Sequence, residues 1–168
     1  MTSRTKIISA IALATLLSGC LATVPDIEAQ RSGTVQTKVQ IAKGIQSPKI
    51  DANGFLVTPW VRSAMMSAFT IRAAQLGLQI DPNGVPVTIH ITGIRSKSDV
   101  ARIVFNFLDG AEWVSGTVSV GDASFNVKED TWLYWMPTGY RSIQEVAEAV
   151  GKQVANGVAL IADMPLDD

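Results

Sequence analysis

From residue 34 onward the hydrophobic positions change period several times, and each change marks an element. Residues 34–42 alternate, with Val35, Val39 and Ile41 set apart by polar neighbours, and this predicts a strand. Residues 44–59 hold Pro48, Asp51, Asn53, Gly54 and Pro59 and read as a loop. Over residues 58–76 the period becomes helical, because Val61, Met65, Ala68, Phe69 and Leu76 fall on one side of a helix. Thr58 is placed to cap that helix and Pro59 suits its first position, where a missing N–H costs nothing. Gly77 ends it, and Asp81-Pro82-Asn83-Gly84 supplies a turn.

The next segments return to a period of two. Residues 85–94 set Val87, Ile89, Ile91 and Gly93 on one face against Thr88, His90 and Thr92 on the other. Residues 102–108 and 113–120 are two further strands, joined through Asp109-Gly110-Ala111-Glu112, where an Asp-Gly pair between apolar runs signals a hairpin. Gly121-Asp122 turns the chain again into a strand over residues 123–130. The last element is a helix over residues 142–162, with Ile143, Val146, Val150, Val154, Val158 and Ile161 in one stripe. Ser142 with Glu145 three residues later fits a capping box. The expected order is β-α-β-β-β-β-α: an α+β single domain with a mainly antiparallel or mixed sheet and both amphipathic helices on one face.

Residues 1–33 follow a different logic. Arg4 and Lys6 precede an apolar run of eleven residues, from Ile7 to Leu17, and then comes Leu17-Ser18-Gly19-Cys20. A stable membrane span needs about 20 apolar residues, so the run suits a secretory signal and not a permanent helix. Residues 21–33 are small and polar, without periodicity, and read as a tether.

All 15 acidic residues lie after Cys20. Once Arg4 and Lys6 are removed with the leader, 12 basic residues face those 15 acids, a formal net charge of −3. The bases are scattered, so nucleic acid is not an expected partner. With 47% hydrophobic and 17% charged residues the composition supports an ordinary folded core. One cysteine excludes an intrachain disulfide.

Leu17-Ser18-Gly19-Cys20 resembles a lipobox, the cleavage motif of bacterial lipoproteins. The resemblance implies removal of residues 1–19, a diacylglyceryl thioether on Cys20, and acylation of the freed amine. Two or three acyl chains hold a protein firmly where one does so only marginally. Leu21, in place of the aspartate that retains enterobacterial lipoproteins in the inner membrane, implies outer-membrane sorting with the domain facing the periplasm. Behind the lipobox, the helix of residues 58–78, the strand of 85–94, the hairpin carrying Gly110, Gly116 and Gly121-Asp122, and the Ala/Val-rich C-terminal helix together are similar to small Gram-negative envelope lipoproteins. Accessory lipoproteins of secretion and transport machines have related architectures.

The sequence offers little chemistry. His90 is the only histidine, set among Thr88 and Thr92, and reads as structural. An active site assembled from distant residues would draw on Asp99, Asp109, Glu112 and Asp122 beside it. The turns at Asp51 and Asp81 begin like calcium loops but lack the later acids. Glu129 and Asp130 point to opposite faces of a strand, poor geometry for an acid–base pair. No catalytic, cofactor or metal site is therefore expected, and the chain is read as a non-enzyme.

Trp132-Leu133-Tyr134-Trp135-Met136-Pro137 is a continuous aromatic and apolar run. It either closes the core between the last strand and the last helix, or exposes Trp132, Tyr134 and Trp135 as an interaction surface. The expected function is that of a lipid-anchored accessory or assembly factor acting through an envelope protein partner. The alternative is a carrier holding a lipid or other apolar ligand between helices and sheet.

Overall fold

The computed structural model describes residues 35–96, 111–131 and 142–166. The leader, Cys20, the tether, the expected strand at 102–108, the Asp109-Gly110 connection and the aromatic run with Trp132, Tyr134 and Trp135 lie outside the described residues.

Among the described residues four strands form one mixed sheet in the order β1-β2-β3-β4: β1 (Lys49–Asp51), β2 (Val87–Arg95), β3 (Trp113–Val120) and β4 (Ala123–Asp130). β1 pairs parallel with β2, and the other pairings are antiparallel. The helices α2 (Pro59–Gln75) and α3 (Ile143–Ile161) pack on each other and, with α1 (Val35–Ile41), complete an α+β fold. Met65, Phe69, Ile89, Val118, Val150 and Val154 are fully buried where helices meet sheet.

Two expectations about the kind of element are corrected. Residues 34–42 do not form a strand, because Val35–Ile41 is helical. In a window this short both periods fit: Thr37 and Ile41 are four apart and share the buried side of α1, while Val35 and Val39, also four apart, face solvent. α1 is held by the Thr37 hydroxyl on the carboxylate of Asp122 and by Lys38 on Asp163 at 2.6 Å. The second correction is that the loop expected over 44–59 contains β1, which gains its ladder from β2, 39 residues away in sequence.

The helix ends show how local sequence sets boundaries. Thr58 has the extended backbone of an N-cap, but its hydroxyl is buried and makes no cap hydrogen bond, so Pro59 carries the start signal. At the other end Gly77, at φ 72°, lets its own N–H reach Ala74 O at 3.2 Å and the Leu78 N–H reach Ala73 O at 2.9 Å. This is the Schellman pattern. The capping box of α3 forms as read: Glu145 N–H donates to Ser142 Oγ, and Ser142 N–H to the Glu145 carboxylate.

β2 departs from regular alternation at one point. The register slips between Ile91 and Gly93, inserting Thr92 as a bulge. Beyond it Ile94 pairs with buried Val114, and Gly93 turns to the outer face, under the ring of Trp113. The expectation that Gly93 shares a face with Ile89 and Ile91 is thereby corrected.

On the side of β4 that is unpaired among the described residues, Gln153 of α3 is buried, and its amide donates to Lys128 O at 3.3 Å and to the Glu129 carboxylate at 2.6 Å.

Candidate functional site

Among the described residues the helices cover one face of the sheet, and the other carries polar side chains. The register sets Asp51, His90, Thr117 and Asn126 side by side across all four strands. His90 Nδ1 lies 3.1 Å from Asp51 Oδ2, and the Thr117 hydroxyl donates to Asn126 Oδ1 at 2.9 Å. One row further on, the Thr92 and Ser115 hydroxyls bond at 3.0 Å. Asp51 also accepts the Asn53 N–H at 3.0 Å. That backbone bond, followed by the bond to His90, holds the Asp51 carboxyl below the usual carboxylate range.

An aspartate on Nδ1 fixes the orientation of an imidazole, which is the first half of an acid–base device. Among the described residues the second half is not assembled with it. The side chains of His90 and Asp51 are 43% and 53% exposed on an open sheet, and the nearest hydroxyl in the row, Thr117, is donated to Asn126. Of the acids expected beside His90, the two among the described residues lie elsewhere. Glu112 is buried, with its backbone paired to Thr131, and Asp122 is in the β3–β4 turn against Thr37. Asp99 and Asp109 lie outside the described residues. Asp51, read from sequence as turn chemistry, is the actual partner, and only the parallel β1–β2 register reveals it.

Among the described residues no three His, Cys, Asp or Glu side chains gather to hold a metal. A cleft of about 410 Å³ opens between the end of α1 and the 81–86 turn, lined by Gln40, Lys43, Asp81 and Asn83, away from His90.

A second surface stands out by its chemistry. The connection from β1 to α2 exposes Phe55, Leu56 and Trp60, with Leu56 at 86% of its full accessible area. Its shape is fixed by short-range bonds. Asn53 and Gly54 both have positive φ, 47° and 83°, and Phe55 N–H closes on Ala52 O at 2.8 Å, a type I′ turn. Val57 N–H then returns to Phe55 O at 3.1 Å. Arg62, one turn into α2, donates to Ile50 O at 3.0 Å and Val57 O at 3.4 Å, clasping both ends of the loop. Sequence reading passed over this feature. Its signal was a pair of large apolar residues, Phe55-Leu56, inside a segment otherwise rich in turn formers.

No family model matches the chain, and no curated protein matches it. Among solved structures, the chain is similar to a single-substitution variant of PelC from Paraburkholderia phytofirmans, described as a dodecamer. That likeness has 16% identity and a TM-score of 0.43, over 68% of this chain and 83% of that one.

Proposed function

We propose that this chain is a lipid-anchored envelope protein, sorted to the outer membrane with its domain facing the periplasm, and that it works without catalysis through contacts with an envelope protein partner. The observation that carries the reading is the order Arg4 and Lys6, an eleven-residue apolar run, then Leu17-Ser18-Gly19-Cys20. The thiol of Cys20 is the acceptor for the lipid, and Ser18 and Gly19 are small enough for a protease to reach the backbone before it. Among the described residues no helix is long and apolar enough to cross a membrane.

A non-catalytic role is favoured by the exposure of the Asp51–His90 pair and by the commitment of the Thr117 hydroxyl to Asn126. The carrier alternative needs space between helices and sheet. Gly157 of α3 lies so close to Phe125 of β4 that a Cβ there would stand 2.3 Å from the ring, which favours the packed, partner-binding reading. Trp132, Tyr134 and Trp135 are proposed as part of the partner surface.

Metabolic labelling with a fatty acid tests the anchor: Cys20→Ala is expected to lose the label and to accumulate as uncleaved precursor. Normal labelling of that variant overturns the reading. Crosslinking of the lipidated protein in density-separated membranes tests the partner, with a specific envelope protein in the outer-membrane fraction as the expected result.

A further inference from the structure

We infer that Phe55, Leu56 and Trp60 form a second, protein-borne membrane contact, in which the β1–α2 loop inserts into the interfacial layer of the bilayer that carries the lipid anchor. This rests on the anchor at Cys20 proposed above.

The residues have the chemistry of that layer. Phe55 and Leu56 supply apolar bulk, and Trp60 an amphipathic ring of the kind enriched at membrane–water boundaries. From Ala52 to Val61 there is no ionisable side chain, so insertion takes no charge out of water. The first cation after this stretch, the guanidinium of Arg62, is turned back onto Ile50 O and Val57 O. The solvent side of α2 behind the loop offers Ser63, Ser67 and Thr70, uncharged groups that tolerate proximity to headgroups.

The loop is also preorganised. Its I′ turn, the Phe55–Val57 backbone bond and the Arg62 clasp hold Leu56 outward, so little conformational freedom is lost when it engages. Three side chains are a small area. A stable protein–protein interface takes about 800 Å² from each partner, around 20 residues a side, far more than this loop presents. As an addition to a lipid anchor the same area is sufficient, because the anchor already supplies the local concentration.

Reach permits it. The C-terminal ends of α2 and α3 meet where Gly77 faces Met164, and α1, to which the tether leads, is bonded to Asp163 at that end. Leu56 lies at the opposite end of α2, about 26 Å away at 1.5 Å per residue. Fourteen residues, the number from 21 to 34, span at most about 48 Å, enough for the domain to lie down and bring the loop to the surface.

The test places an environment-sensitive nitrobenzoxadiazole dye at position 56 by Leu56→Cys, and in a second chain at Asn83→Cys, in the turn at the far end of α2. The full lipidated proteins are reconstituted in protein-free vesicles of phosphatidylethanolamine and phosphatidylglycerol, and the mass of the Cys20 peptide is read on the same samples. A lipid mass on Cys20, with blue-shifted emission at 56 that is quenched by acyl-chain nitroxides and water-like emission at 83, is the expected result. Lipid on Cys20 with equally wet dyes at both positions overturns the insertion and leaves the anchor standing. A dry dye at 56 in native membranes but not in vesicles also overturns it, in favour of a protein. An unmodified Cys20 overturns the anchor and this inference with it.

Discussion

Gly151 of α3 sits directly against the carbonyl oxygen of Met65 in α2: a Cβ at that position would stand 2.1 Å from it, and 3.1 Å from the Phe69 nitrogen. The two helices therefore meet backbone to backbone, and the position admits no side chain without moving one helix. Gly151→Ala would raise helix propensity by about 1 kcal/mol, yet overpacking of this kind costs about 1–3 kcal/mol, and here the obstacle is rigid backbone. The variant is expected to be less stable by urea titration, whereas Lys152→Ala, next door and exposed, should stay within about 0.5 kcal/mol of the parent.

The capping box of α3 gives a second prediction. Ser142→Ala removes the acceptor for Glu145 N–H and should cost about 1 kcal/mol. Glu145→Ala frees the Ser142 N–H and should cost less, since that donor is exposed to water. Because the two bonds belong to one device, the double variant should lose less than the two single losses added together in thermal or denaturant unfolding.

Asp51 provides a pH dependence with a defined sign. Its folded pKa is below the ordinary value, so its contribution to stability is complete above the unfolded carboxylate range and disappears as pH falls through the folded pKa. Asp51→Asn should flatten that part of the acid limb. In an NMR titration the Asp51 carboxyl should rise in His90→Ala but stay below the ordinary value, because the Asn53 N–H is the larger influence. A midpoint unmoved by His90→Ala would remove the pair as an interaction.

Gly93 and Trp113 make the fourth test. A Cβ on Gly93 would be 2.4 Å from the indole, so Gly93→Ala should lift the ring from the sheet. The expected signs are a loss of about 1–3 kcal/mol and a changed near-ultraviolet circular dichroism band, with the far-ultraviolet spectrum retained.

What could be read in advance divides along sequence separation. α2, β2, β3, β4 and α3 were legible because each carries many residues of one period, and the α3 cap because Ser142 and Glu145 are three apart. α1 was misread because its buried side carries Thr37 and Ile41 while Val35 and Val39 face solvent, so its apolar residues alternate along the chain without marking the helix's inner side. β1 and the Asp51–His90 pair were illegible for a different reason: a three-residue strand among turn formers exists only through its non-local register on β2. Gly93 changed faces because one inserted residue, Thr92, reverses every later side chain, and nothing in the local pattern announces a bulge.

The Gln153 contact has a bearing on how such a domain lives beside its own copies. Among the described residues β4 is an edge, and closure of the hairpin at Val120 and Ala123 directs the backbone groups of Ser124, Asn126 and Lys128 away from β3. By occupying the Lys128 carbonyl, Gln153 shortens the stretch onto which a foreign strand could zip. Confinement to a surface would crowd the copies, and one glutamine then does for the edge what dilution does for a protein free in solution.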